Sequence, residues 1–123
     1  MKLIGIGTDI VSIARIQSIL NKYFDKFIKL VLSDAEQKNK INCEYVAHRW
    51  AAKEAISKAI GIGLTGQCRM KDISILPDRN GRPYVAVCGP TKLYLDSTYP
   101  DSHIQVSMSG DDYAIGMCIL YNN

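Results

Sequence analysis

Four charged side chains lie close together in the alanine-rich stretch RWAAKEAISKA, residues 49–59, which is predicted to be helical. They are Arg49, Lys53, Glu54 and Lys58. A helix turns about 100° per residue, so this spacing places Glu54, Ser57 and Lys58 on one side, with Lys53 on the flank. The opposite side is an apolar stripe of Ala52, Ala55, Ile56 and Ala59. The helix therefore has one side that packs and one side that can do chemistry.

Two interpretations of the charged side are open. Glu54 and Lys58 are four residues apart in the order that favours a surface ion pair, so the charges can be ordinary surface groups. Trp50 lies on the same side as Glu54, however, and the helix runs into the glycine-rich loop GIGLTG. Backbone N–H groups in such a loop can bind phosphate oxygens, which favours a site for an anionic ligand.

Asp9 is the second candidate for chemistry, in the stretch GIGTDIV near the N-terminus. A strand followed by Gly-Ile-Gly is weakly indicative of nucleotide binding, but Ile10 stands where the dinucleotide motif needs its third glycine. An isolated carboxylate just past a strand can cap a turn or helix, or it can converge with Glu54. Two carboxylates from separate elements are a typical part of a Mg²⁺ site, completed by waters and substrate phosphates.

The first half of the chain, which positions these residues, is predicted to be one strand followed by helices. Residues 2–7 are a predicted strand, and Ser12 can cap a helix through IARIQSILNKY. The next stretch, DKFIKLVL, is short and either helical or irregular. Ser33 and Glu36 have the spacing of a capping box. The main helix is predicted from about residue 44 to residue 60, where glycines end it.

The second half of the chain has the alternation typical of strands. The predicted strands are KDISIL, RPYVAV, HIQVSMS and DYAIGMCIL, and GPTKLYLDST is a predicted short helix. Asn80 and Gly81 mark a hairpin turn between the first two strands. The predicted class is therefore α+β, a mostly antiparallel sheet packed against a long central helix, in one domain spanning residues 1–123.

Composition and charge argue against several classes of function. The net charge of +3 is mild and the basic residues are dispersed, which disfavours nucleic acid as a partner. No apolar stretch has the length of a membrane span or the pattern of a signal peptide, so no membrane is expected and a cytoplasmic location is predicted. The four cysteines stand far apart with no CxxC pair, which predicts reduced thiols.

Three motifs, in this order, carry a family resemblance: GIGTDIVSIARI, YVAHRWAAKEAISKAIGIG and IQVSMSGDDYAIG. Together they resemble the holo-[acyl-carrier-protein] synthases, the short class of 4′-phosphopantetheinyl transferases, over nearly the whole chain. The resemblance implies an α+β fold in which each chain is half of the longer pseudo-dimeric transferases. It also implies a homotrimer with active sites between neighbouring chains.

The implied reaction moves the 4′-phosphopantetheine arm of coenzyme A to a serine of apo-acyl carrier protein, with release of adenosine 3′,5′-bisphosphate. It depends on Mg²⁺ and supports fatty acid biosynthesis. By resemblance, Asp9 and Glu54 hold the metal, and Glu54 and Lys58 are catalytic. Lys58 pairs with a phosphate oxygen, and Glu54 can also help deprotonate the attacking serine.

The resemblance assigns further residues to the two substrates. Arg15 matches the position that contacts the acidic carrier protein. The residues implied to line the coenzyme A site are Arg49, Lys53, Ser57, Lys58, Gly61, Gly63, Arg82, Pro83, Ser107 and Ser109.

One position departs from the family pattern. Family members commonly read Ser-x-Ser-His at the end of the penultimate strand, whereas this chain reads SMSG, with Gly110 in place of the histidine. The role of that histidine then passes to Glu54, to a water or to Asp111, or catalysis is slower. The alternative functions are a non-catalytic relative that binds coenzyme A or the carrier protein, and a plain α+β interaction domain with the charges as surface pairs.

Overall fold

A computed structural model describes residues 1–64 and 66–123 of the chain. The strands and α-helices in the described residues are β1 (Lys2–Ser12), α1 (Ile13–Val31), α2 (Cys43–Ile60), β2 (Ile73–Pro77), β3 (Pro83–Val87), α3 (Gly89–Thr98), β4 (Ser102–Gly110) and β5 (Tyr113–Asn122). Short 3₁₀ turns span Glu36–Lys38 and Met70–Asp72. The predicted α+β class is confirmed.

The main sheet has the order β1-β5-β4 with antiparallel neighbours, and β2 and β3 form a separate antiparallel hairpin. β1 extends beyond the predicted strand because β5 pairs with it as far as Ser12, which lies opposite Tyr113. Asp9 therefore lies within β1, opposite Gly116, and not after the end of the strand. The predicted turn between β2 and β3 is confirmed, with Gly81 at a φ of 81°.

Helix α1 begins at the predicted cap, where the Ser12 hydroxyl accepts a hydrogen bond from the N–H of Arg15 at 3.2 Å. The stretch DKFIKLVL continues this helix to Val31, after a kink at Tyr23, whose φ and ψ of −135° and 44° are not helical. One face of α1 is buried, including Ile16 and Leu20, as its apolar spacing predicts.

The capping box is also confirmed. The N–H of Ser33 donates to Glu36 Oε1 at 2.9 Å, and the N–H of Glu36 donates to the Ser33 hydroxyl at 3.2 Å. It opens only a short 3₁₀ turn. The Glu36 carboxylate is fully buried and makes further bonds to other elements.

Helix α2 packs against the main sheet at very short range. A Cβ atom at Gly7 would lie 1.9 Å from the carbonyl oxygen of Ala55, and one at Gly116 would lie 2.5 Å from the backbone of Ala51. Glycine on β1 and β5 and alanine on α2 thus let the two backbones touch. This explains the Gly-x-Gly of the N-terminal motif as a packing feature.

The core forms two clusters of buried side chains with α2 between them. One lies between α1 and α2 and includes Ile16 and Val46, and the other joins α2 to the sheets and α3, including Ile56 and Leu95. Helix α2 is therefore buried nearly all round, and not only along the predicted alanine stripe. Few of its side chains reach solvent, so the charged side chains that are exposed or half-buried are the candidates for ligand contact.

Candidate active site

Asp9 and Lys58 form an ion pair between β1 and the last turn of α2. Lys58 Nζ lies 3.2 Å from Asp9 Oδ1 and donates a second hydrogen bond to the carbonyl of Thr8 at 2.9 Å. Lys58 is exposed, whereas only 19% of the Asp9 side chain is. Lys58 therefore turns toward β1 and does not form the surface pair with Glu54 that helical spacing allows.

Glu54 lies close enough to both residues to be affected by their charges. Burial raises the pKa of the Glu54 carboxyl, the negative charge of Asp9 raises it further, and Lys58 opposes this shift. Within residues 1–64 and 66–123 its carboxylate has no hydrogen-bond or ion-pair partner. Asp9, Glu54 and Lys58, predicted from two distant motifs, are thus brought to one place by the contact of α2 with β1.

The donors at this place fit a magnesium ion. Asp9 and Glu54 offer carboxylate oxygens, which Mg²⁺ prefers, and a cation would relieve the repulsion between the two charges. No cluster of three or more acidic, histidine or cysteine side chains that could hold a metal occurs in the described part of the chain. Waters and substrate phosphates would therefore complete the coordination, as is usual for Mg²⁺.

Lys53 lies in the core of the chain, whereas the resemblance implied a place on the coenzyme A site. Its side chain is 0% exposed, and its ammonium donates to Glu36 Oε1 at 2.5 Å. It also donates to the carbonyls of Val31 at 2.6 Å and Met70 at 3.0 Å. These acceptors use all three donors of the ammonium. Desolvation lowers the pKa of Lys53 to about 8, and the charge of Glu36 limits the drop.

Glu36 is the partner that sequence reasoning missed. Besides Lys53 and Ser33, its carboxylate accepts a hydrogen bond from the N–H of Ile75 at 2.9 Å and lies 3.5 Å from Arg49 Nε. It therefore ties the turn after α1 to both α2 and β2. The capping box was the only sequence signal for Glu36, and it accounts for one of these contacts.

Arg49 is mostly buried and held on several sides. Its Nη2 donates to the carbonyl of Ile75 at 3.1 Å, and the guanidinium carbon lies 3.7 Å from the centre of the Tyr45 ring. Helical rotation places Arg49 about 140° from Glu54. The two side chains therefore leave α2 in different directions.

The end of α2 uses several of the predicted residues to close the helix. The Ser57 hydroxyl donates to the carbonyl of Glu54 at 2.8 Å, and Gly61 is the left-handed C-cap with a φ of 92°. The N–H groups of Gly61 and Ile62 both donate to the carbonyl of Ser57. These two N–H groups are therefore occupied, while Gly63 lies exposed in the loop beyond.

The remaining predicted residues lie on other surfaces. Arg15 is exposed in the first turn of α1, Arg82 ends the turn before β3, and Pro83 is the first residue of that strand. Ser107 and Ser109 are on the exposed face of β4. Asp9 is on the other face of the sheet, because it alternates in phase with Gly7, which contacts α2. One chain therefore does not bring the two serines to Asp9, Glu54 and Lys58.

A cleft of about 990 Å³ opens beside Glu54, between α1, α2 and the segment before β2. Its apolar wall includes Ile19, Tyr23 and Trp50, and Trp50 stacks on Phe27 with ring centres 5.5 Å apart. This confirms that the side of α2 that carries Glu54 is not plain solvent-facing surface. The rim of the cleft is basic, with Lys26, Lys29, Arg69 and Lys71.

Comparison with known proteins shows the family of the chain. The family model of the 4′-phosphopantetheinyl transferase superfamily matches residues 5–118. A holo-[acyl-carrier-protein] synthase of Orientia tsutsugamushi is 38% identical over 120 residues, covering 92% of this chain and 91% of the relative. The crystal structure of the Neisseria meningitidis holo-[acyl-carrier-protein] synthase has a TM-score of 0.89 at 30% identity, covering 98% and 99% of the two chains.

A third relative was solved with a ligand. The Bacillus anthracis holo-(acyl-carrier-protein) synthase in complex with CoA (3′,5′-ADP) has a TM-score of 0.80 at 28% identity, over 100% of both chains. The chain belongs to the 4′-phosphopantetheinyl transferase superfamily. Within it, the enzyme class predicted from the motifs, a phosphopantetheinyl transferase of the holo-[acyl-carrier-protein] synthase type, is confirmed.

Proposed function

We propose that this enzyme transfers the 4′-phosphopantetheine arm of coenzyme A to a serine hydroxyl of apo-acyl carrier protein and releases adenosine 3′,5′-bisphosphate. The observation that carries the proposal is the convergence of Asp9, Glu54 and Lys58 from β1 and α2. A pyrophosphate attacked by a hydroxyl needs charge neutralisation and alignment more than a covalent intermediate. Two carboxylates and one lysine can provide both.

Asp9 and Glu54 would hold Mg²⁺, which would supply neutralisation of pyrophosphate charge. Lys58 exchanges its bonds to Asp9 and Thr8 for a phosphate oxygen, because its exposed ammonium can rotate toward the substrate. Glu54 accepts the proton of the attacking serine. Its carboxylate has no hydrogen-bond or ion-pair partner within residues 1–64 and 66–123, which leaves an oxygen free to accept this proton.

Coenzyme A is bound by residues from two chains of a homotrimer. Ser57, Lys58, Gly61 and Gly63 line it from the chain that supplies the metal ligands. The neighbouring chain contributes the residues that do not lie beside Asp9, Glu54 and Lys58 in one chain. These are Arg49, Arg82, Pro83, Ser107 and Ser109. The support for two chains is that Ser107 and Asp9 lie on opposite faces of one sheet.

The outer face of the main sheet supports self-association. Ile6 is 63% exposed and Ile10 is 61% exposed on β1, and Ile115 and Met117 beside them on β5 are also exposed. Contiguous apolar side chains on a surface commonly mark an interface. The site is incomplete without this neighbour, so trimer formation and activity depend on each other.

The acidic carrier protein approaches along α1, where Arg15 is exposed, and presents its serine to Glu54 through the cleft. We further propose that residues 1–123 act as one domain, in the cytoplasm and in fatty acid biosynthesis. No helix in the described residues is long and apolar enough to cross a membrane.

The test is a mass measurement on the carrier protein. The enzyme is incubated with coenzyme A, Mg²⁺ and apo-acyl carrier protein, and the carrier is weighed before and after. We expect a gain equal to one phosphopantetheine group. In Glu54→Gln we expect the rate to fall by about 10²-fold or more, because both a metal ligand and the proton acceptor are lost.

Glu44→Gln is the matched control, since Glu44 is exposed in the first turn of the same helix. It should transfer at the rate of the unchanged enzyme. Normal transfer by a folded Glu54→Gln would remove Glu54 from the site. Binding of coenzyme A without any mass gain would instead support the non-catalytic relative, which the loss of the family histidine at Gly110 suggests.

A further inference from the structure

Arg69 lies on the rim of the cleft beside Glu54 and is held in one orientation by Asp72. Its Nε donates to Asp72 Oδ2 at 3.0 Å, and its Nη2 donates to Asp72 Oδ1 at 2.8 Å. Such a paired contact fixes the plane of a guanidinium as well as its position. Arg69 Nη1 has no hydrogen-bond partner among the described residues, and the Arg69 side chain is 39% exposed.

Asp72 is itself fixed by the start of α3. The hydroxyl and the N–H of Thr91 donate to Asp72 Oδ2 at 2.8 and 3.3 Å. A Cβ at Gly89 would lie 2.9 Å from Asp72 Oδ1, so any larger residue would have to displace the carboxylate. Burial acts to raise the pKa of Asp72, but the hydrogen bonds from Arg69 and Thr91 outweigh it and the pKa is lowered. The carboxylate therefore stays ionised at neutral pH.

Arg69 is also fixed through its backbone, because its N–H donates to the Thr91 hydroxyl at 2.9 Å. The other basic residues of the rim differ from it. Lys26, Lys29 and Lys71 are exposed and form no ion pair within residues 1–64 and 66–123. Flexible lysines attract an acidic partner over a distance, whereas a fixed arginine offers donors at one position.

We propose that Arg69, positioned by Asp72, is a specificity-determining contact for one carboxylate side chain of apo-acyl carrier protein. The inference rests on the proposed function, in which the carrier brings its serine to Glu54. Arg69 and Glu54 line the same cleft, whereas Asp9 and Lys58 do not line it. A ligand that reaches from Glu54 to Arg69 therefore extends away from the phosphate-binding residues, as a docked carrier protein does.

The charge of the cleft also selects this occupant. Four basic side chains and one acidic side chain line it, so an acidic protein surface complements it. Because Asp72 already balances the charge of Arg69, this residue contributes directed hydrogen bonds more than net attraction. Its removal should therefore affect which carboxylate is accepted and how long it stays bound.

The test measures equilibrium binding of apo-acyl carrier protein by calorimetry, without coenzyme A, so that no turnover is needed. Arg69→Lys keeps the charge and loses the planar pair of donors, and we expect its affinity for the carrier to fall about tenfold. The double variant Arg69→Gln, Asp72→Asn removes both charges and leaves no buried carboxylate unpaired. Its affinity for the carrier should fall by a similar factor. Coenzyme A affinity should not change in either variant.

Lys92→Gln is the control, because Lys92 is exposed on α3, pairs with Asp96 and lies outside the cleft. Its carrier affinity should equal that of the unchanged protein. Arg69→Lys with unchanged affinity, a loss confined to coenzyme A, or no carrier binding by the unchanged protein would each overturn the inference. Failure of the proposed function gives a different result. The carrier then gains no mass, whatever its affinity for the unchanged protein and the Arg69 variants.

Discussion

Lys53 and Glu36 form a buried ion pair, and its removal tests whether Lys53 supports the fold or binds coenzyme A. Lys53→Met keeps a long side chain but leaves the fully buried Glu36 carboxylate with only Arg49 Nε, at 3.5 Å, as a cationic neighbour. Breaking a buried pair from one side costs about 3–5 kcal/mol. We expect the free energy of unfolding to fall by this amount in Lys53→Met and in Glu36→Gln.

The double variant, Lys53→Met with Glu36→Gln, should lose no more than either single variant. Both charges are gone, and the single side-chain oxygen of Gln can still accept from the N–H of Ser33 or from that of Ile75. The remaining cost comes from the two carbonyls that lose the Lys53 ammonium, at about 1–3 kcal/mol each. The two changes should therefore couple by about 3 kcal/mol.

Urea unfolding followed by circular dichroism measures all three variants, with Lys38→Met as the exposed control, which should stay within about 0.5 kcal/mol of the unchanged protein. The Michaelis constant of the double variant for coenzyme A should be unchanged. Single variants that each cost under about 1 kcal/mol would refute the structural role. A rise of about tenfold in that Michaelis constant would return Lys53 to the ligand site.

Three further predictions concern the contact of α2 with the sheet, the turn between β4 and β5, and Glu54. Gly116→Ala places a Cβ 2.5 Å from the α2 backbone, so it should cost about 1–3 kcal/mol in urea unfolding and slow transfer. Gly110→His restores the family residue where φ is 139° and a Cβ would lie against the Tyr113 carbonyl; it should lower the melting temperature and not speed transfer. Folding raises the pKa of Glu54. The free energy of unfolding therefore falls as the pH rises from the unfolded-state pKa through the folded-state pKa of this carboxyl. Calorimetry should therefore find Glu54→Gln melting higher than the unchanged protein at neutral pH but not in acid.

Features that depend on neighbouring residues in the chain could be predicted without the structure. The Ser12 cap, the Ser33–Glu36 capping box and the turn at Asn80 and Gly81 all formed as predicted, because each consists of hydrogen bonds or dihedral angles within a few residues. The enzyme class was also readable, since three separate motifs restrict it together. The assignment of Asp9 and Glu54 as candidate metal ligands followed from those motifs and not from helical spacing.

The tertiary structure decided what each charge does. Helical spacing gives the direction in which a side chain leaves α2, but not what covers that side. Lys53 meets Glu36, which lies in a turn that local signals describe only as a cap. Lys58 meets Asp9 because glycines let the backbones of β1 and α2 touch. The buried Lys53 and the exposed Lys58 cannot be told apart by sequence pattern, because only long-range packing sets their water exposure and partners.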